Sequence, residues 1–197
     1  MKNYFIKNKY NSGFTLVETL VATSIFTMSL LGLMFVLTDG IADSTYAKKK
    51  ANAAYLAQEG IEYVRNIRDT YVLYSSSGAQ AGWDAFVTKM TSAGAACNTA
   101  NGCYIDEQYL YSHWNDNAQP MTGVSVIACG GTCAPLLYDS TNGKFSYISG
   151  TDSGFKRKIT YTAVNANEVK ITSTVYWTQG SGSYNLSFSE NLFNWVE

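Results

Sequence analysis

One carboxylate sits where carboxylates are expensive. Glu18 lies in Phe14–Leu37, a run of 24 residues with no other charge. An acid in a membrane-spanning helix costs about 2.5–3.5 kcal/mol at the bilayer centre. Glu18 is one turn in, where the cost is smaller but a cation is still wanted, so the chemistry on offer is charge pairing. Four cysteines offer a second chemistry: Cys97 and Cys103 have five residues between them, and Cys129 and Cys133 bracket Gly-Gly-Thr. His113, the only histidine, stands in His-Trp-Asn-Asp with no serine or cysteine tied to it by spacing, and reads as a surface or loop residue. No phosphate-cradling loop, catalytic carboxylate pair or histidine-type metal cluster is visible. Enzymatic activity, a cofactor and a bound metal are therefore not expected.

The element that positions Glu18 is a membrane helix. At 1.5 Å per residue, Phe14–Leu37 spans roughly 36 Å, against about 30 Å of hydrocarbon. Lys2, Lys7 and Lys9 precede it with no acid among them. Lysines on the short side hold that side in the cytoplasm and leave everything after Asp39 outside. A secretory signal has a shorter apolar region, about 7–15 residues, ending at a small-residue cleavage site; no convincing Ala-x-Ala follows here. A plain anchor leaves Glu18 unexplained.

Gly13-Phe14-Thr15-Leu16-Val17-Glu18, behind a short basic leader and ahead of about twenty apolar residues, resembles the cleavage and methylation signal of type IV pilins and of the pseudopilins of type II secretion. The resemblance implies cutting after Gly13 by a prepilin peptidase, N-methylation of Phe14, and neutralisation of a neighbouring subunit's terminal amine by Glu18. Physical chemistry agrees. A free α-amine is largely cationic near neutrality, and an amine and a carboxylate buried among apolar helices relieve each other's cost when paired. No amine exists at Phe14 before the cut, so cleavage gates assembly. Thr15, Thr19, Thr23, Ser24, Thr27, Ser29 and Gly32 suit close helix packing in lipid.

That resemblance implies an α+β, pilin-like fold: a long N-terminal helix packed on a C-terminal antiparallel sheet. Residues 1–13 form the leader, 14–38 the membrane and assembly half of the helix, 39–69 its amphipathic half, and 70–197 the globular domain. In the second half of the helix Ala47, Ala51, Ala54, Ala57, Ile61, Val64 and Ile67 recur at steps of three and four, one helical face. Gly40 and Gly60 weaken it locally by up to about 1 kcal/mol each, with a bend possible near Gly40. Residues 75–82 read as a loop and Trp83–Met90 as a short helix. Cys103–Ile105 and Val124–Cys129 are strand candidates, and 135–154 holds an apolar patch between turns. From about 155 to 190, three period-two stretches joined by short turns read as an antiparallel meander. The meander and Tyr55–Glu62 also resemble minor-pilin and I-type pseudopilin relatives, more loosely. Many major pilins carry a proline in the first helix; this chain has none before Pro120, which favours a minor subunit or pseudopilin.

Four exported cysteines allow three connectivities. The local pairs Cys97–Cys103 and Cys129–Cys133 are favoured because each brackets a turn-rich loop. Zinc is the sharper alternative, fitting the second pair loosely and the first not at all. Charge limits the partners. The leader holds three of fourteen cationic side chains and no acid, leaving eleven against fifteen acids, net −4 after cleavage. Nucleic-acid affinity comes mostly from cation–phosphate contacts, so DNA uptake is a weak primary hypothesis. Lys48, Lys49 and Lys50 read as a solvated or headgroup-facing patch. Fifteen tyrosines and four tryptophans invite a surface-binding role, placed in loops 104–115, although Tyr161, Trp177 and Tyr184 fall in strand patterns.

The expected function is a structural subunit, a minor pilin or pseudopilin, of a helical filament. Its expected partners are the peptidase, other pilin subunits, an inner-membrane assembly platform, and membrane lipid before assembly. The expected location is the cytoplasmic membrane, single-pass with the C-terminal domain outside, then an extracellular or periplasmic filament. The alternatives are a filament-tip adhesin or DNA-uptake subunit binding glycan, surface or DNA, or a major pilin.

Overall fold

The computed structural model describes residues 13–106 and 124–195. The leader lysines, His113 and most of loop 104–115 lie outside the described residues. The chain divides into two compact units, up to Thr45 and from Tyr46 onward, and helix α1, Leu16–Leu73, runs through both. In the first unit every described side chain is exposed. Among the described residues this is the one helix long and apolar enough to cross a membrane.

The second unit contains the rest of α1, a second helix α2 (Ala79–Thr91) and a seven-stranded antiparallel sheet. The strands are β1 (Cys103–Asp106), β2 (Ser125–Ala128), β3 (Pro135–Asp139), β4 (Lys144–Ser146), β5 (Thr151–Asn165), β6 (Glu168–Gln179) and β7 (Gly182–Phe193). The β5–β6–β7 meander is the one read from alternation. Phe155, Arg157, Ile159 and Tyr161 point inward on β5, and Val169, Ile171, Ser173, Val175 and Trp177 on β6. The other edge of β5 takes β1 beside Ile159 and β3 beside Thr151–Lys156; β2 pairs with β1 and β4 with β3. The 135–154 patch is thus a hairpin that extends the sheet.

Helix α1 buries Ala53, Leu56, Ala57, Gly60, Ile61, Val64 and Ile67 against this sheet. The sequence face is right from Ala57 on, but Ala47 and Ala51 are exposed and Ala53 and Leu56 are inside. Alanines at 47, 51, 53, 54 and 57 spread over nearly half of the helix circumference there, so apolar periodicity alone does not fix the face. Helix α2 begins four residues before the expected Trp83. Gly82 belongs inside it, because an added Cβ would collide with the backbone of Tyr71 and Val72 on α1. Trp83, Phe86 and Met90 then fill one core with Val64, Ile67, Ile159 and Ile171. A second core gathers Ala53, Leu56, Ala57, Leu136, Phe155, Val175 and Trp177.

Between these cores lies a polar layer. Arg157, fully buried, donates from Nη1 to Glu59 Oε2 at 2.7 Å and to the Leu56 carbonyl at 3.1 Å. Its guanidinium carbon lies 5.1 Å from the Tyr63 ring centroid. Gly60 makes room: a Cβ there would sit 2.5 Å from Ser173 Oγ and 2.9 Å from Arg157 Cδ. The glycine that weakens the isolated helix is what lets α1 approach the sheet closely.

Candidate assembly site at the start of the apolar helix

Glu18 is held by the residue three before it. Thr15 donates its backbone N–H to Glu18 Oε2 at 2.9 Å and its hydroxyl to the same oxygen at 3.0 Å. In return Glu18 N–H donates to Thr15 Oγ1 at 3.3 Å. With α1 starting at Leu16, Thr15 is the N-cap and Glu18 the third helical residue, so the exchange is a capping box. It satisfies two amides that the helix itself cannot, and it places an acid at the positive end of the helix dipole. Sequence reasoning missed this role of Thr15, although the Thr-x-x-Glu spacing ahead of an apolar run was its signal.

Among the described residues both hydrogen bonds to the Glu18 carboxylate come from Thr15, and both fall on Oε2. Oε1 receives none. Gly13 and Phe14 are exposed, with open space around the position of a Gly13 Cβ, so the peptide bond between them is accessible. Cutting it leaves the Thr15 amide intact, and the capping box is compatible with both precursor and processed chain.

The other hydroxyls of the run are satisfied within the helix. Thr19 donates to the Leu16 carbonyl at 2.8 Å, Thr23 to Leu20 at 3.0 Å, Ser24 to Val21 at 2.8 Å, Thr27 to Ser24 at 2.9 Å and Ser29 to Ile25 at 2.8 Å. Back-bonding of this kind removes the need for water, so these small residues can face lipid or another helix at little cost. Glu18 is the exception, a full charge with one oxygen unoccupied.

The cysteines form Cys97–Cys103 and Cys129–Cys133, with Cα separations of 4.7 and 4.5 Å. All four sulfurs are used, leaving no thiolate to ligate zinc. The two loops adjoin: Cys129 N–H donates to the Gly102 carbonyl, and Tyr161 N–H ties Cys97 to β5, both at 2.9 Å. The strand expected at Cys103–Ile105 is β1, which runs on to Asp106 and so takes the start of loop 104–115 out of a binding role: Ile105 is buried and the Tyr104 and Tyr147 ring centroids lie 4.7 Å apart. Strand pairing with β2 claims those residues. Tyr161 and Trp177 are core residues, while Tyr184 on the outermost strand is partly exposed.

A family model described as Prokaryotic N-terminal methylation motif matches residues 8–34. No curated protein and no solved structure matches the chain. The fold is pilin-like, an α-helix of 58 residues whose second half packs on a C-terminal antiparallel sheet. With the methylation motif at its start, the chain is a type IV pilin-like protein carrying a prepilin-type signal, and that signal implies processing by prepilin peptidase.

Proposed function

We propose that this protein is a minor pilin or pseudopilin of a type IV pilus or type II secretion-like filament. In this reading the peptidase cuts between Gly13 and Phe14, Phe14 is N-methylated, and Glu18 of one subunit pairs with the new amine of a neighbour. The precursor waits in the cytoplasmic membrane with residues after Asp39 outside, contacts an inner-membrane assembly platform, and leaves as part of a filament. The role is structural rather than enzymatic.

The observation that carries this reading is Glu18 itself: the sole charge of the exposed apolar run 14–37, capped by Thr15 on one oxygen only. An ionised carboxylate has about four lone-pair sites, so it can hold the capping box and accept an ammonium as well. Leu16, Ile25, Phe26, Met34 and Phe35 are 61–79% exposed, which suits lipid before assembly and other helices after it. A head-to-tail interface that does not close yields a helical filament. Glu18→Ala should leave membrane insertion intact and remove the protein from sheared filaments. Wild-type amounts of the variant in those filaments would overturn the assembly role.

A further inference from the structure

A cleft of about 610 Å³ opens on the globular unit, where β5, β6 and β7 meet the Cys129–Cys133 loop. That size lies within the usual range for small-ligand sites, about 300–1,000 Å³. Its lining includes Asp152, Lys156, Lys158, Tyr176, Thr178 and Ser183. Lys156 and Tyr176 are cross-strand neighbours, as are Thr178 and Ser183. All four are exposed, whereas Phe155, Arg157, Val175 and Trp177 between them turn into the core.

The groups are held in place. Lys158 Nζ lies 5.7 Å from the centre of the Tyr176 ring and 3.4 Å from the Ala100 carbonyl. Its stem runs over Gly102, where an added Cβ would approach Lys158 Cγ to 2.8 Å. One disulfide loop therefore supports the lysine and the other walls the cleft. Lys49 Nζ bonds the Thr178 carbonyl at 2.9 Å and adds positive charge at the same end of β6. Asp152 is the one acid in the lining, with Oδ1 fixed by the Gly154 amide at 2.8 Å. A chain of net charge −4 after cleavage thus concentrates cations around an exposed aromatic ring and several hydroxyls.

We propose that this cleft binds an acidic oligosaccharide, one that carries carboxylated sugar residues. The carboxylate would meet Lys156 and Lys158, an apolar sugar face would lie on the Tyr176 ring, and sugar hydroxyls would bond Thr178, Ser183 and Asp152. Nucleic acid fits less well, because phosphate binding needs a track of cations. The proposal goes beyond filament assembly and stands or falls separately from it.

The test uses the full chain in non-ionic detergent micelles, with binding read by calorimetry and ligand-observed NMR. The probes are trigalacturonate and sialyllactose, their neutral counterparts trigalactose and lactose, and a ten-residue oligo-dT. At least one acidic sugar should bind at least about tenfold more tightly than its neutral counterpart, the scale of one charge-assisted hydrogen bond. Lys156→Gln and Tyr176→Ala, both at exposed positions, should each weaken that binding at least fivefold. Lys170→Gln, also on β6 but outside the cleft, should leave it unchanged. No binding of either acidic sugar, equal binding of the neutral ones, indifference to both cleft variants, or tighter binding of oligo-dT would each overturn the proposal.

Discussion

Replacing Gly60 with alanine should destabilise the globular unit by about 1 kcal/mol, although alanine is the better helix former. In a helix interior alanine is favoured over glycine by roughly 0.8–1.0 kcal/mol. Against that gain, the new methyl would stand 2.5 Å from Ser173 Oγ and 2.9 Å from Arg157 Cδ. Both neighbours are fully buried, and Arg157 is tied to Glu59 and Leu56, so neither can swing into solvent. Overpacking of this kind costs roughly 1–3 kcal/mol, and the middle of that range outweighs the propensity gain. Among the described residues Ser173 Oγ has no hydrogen-bond partner, so Ser173→Ala alone should shift stability by under about 0.5 kcal/mol. In that background the nearest atom to the new methyl becomes Arg157 Cδ, and Gly60→Ala should be close to neutral. The cycle should therefore show a coupling of about 1 kcal/mol, within the range for residues in contact. Urea unfolding of the full chain in non-ionic detergent, followed by fluorescence of the buried Trp83 and Trp177, measures all four proteins. A Gly60→Ala variant that gains the full propensity term, with effects that simply add, would refute the close approach of α1 to β6.

The Glu59–Arg157 pair should respond asymmetrically. Glu59→Ala removes the carboxylate paired with a fully buried guanidinium and should cost about 3 kcal/mol, while Arg157→Met leaves a carboxylate that can turn to water and should cost less, as the same urea titration would show. Cys129→Ser with Cys133→Ser should lose roughly 2 kcal/mol of loop entropy. The Cys97→Ser, Cys103→Ser pair should lose that and about 1–3 kcal/mol more, since both positions are fully buried and serine puts unpaired hydroxyls into the core. Burial raises the phenol pKa of Tyr71 and Tyr161. The unfolded chain therefore loses these protons first, and stability should hold up to about pH 10 and fall above it. Urea midpoints across pH 8–11 check this, and a midpoint that rises through pH 10 would contradict it.

The parts of this fold written in local periodicity were legible in the sequence. The apolar run, the β5–β6–β7 meander and the face of α1 from Ala57 onward follow from spacing alone. Features that depend on a distant partner were not. Gly60 reads as a weakness until Ser173 and Arg157 arrive opposite it, more than ninety residues later. Arg157 reads as one member of an alternating strand, and nothing local names Glu59 as its counter-ion. At the candidate site Glu18 stood out because charge is rare in lipid. Thr15 did not, because one threonine among several in the run carries no signal until its spacing to Glu18 is compared with helix-capping geometry. The cleft draws residues from several segments of the chain, and no window of sequence holds it.

The central claim is that a new chain end at Phe14 meets a carboxylate at Glu18. Mass spectrometry of the N-terminal peptide from native membranes and from sheared filaments tests it most directly. The account predicts a peptide that begins at Phe14 and carries a methyl group on its amine. Mature protein that still begins at Met1, with Lys2, Lys7 and Lys9 in place, would contradict it.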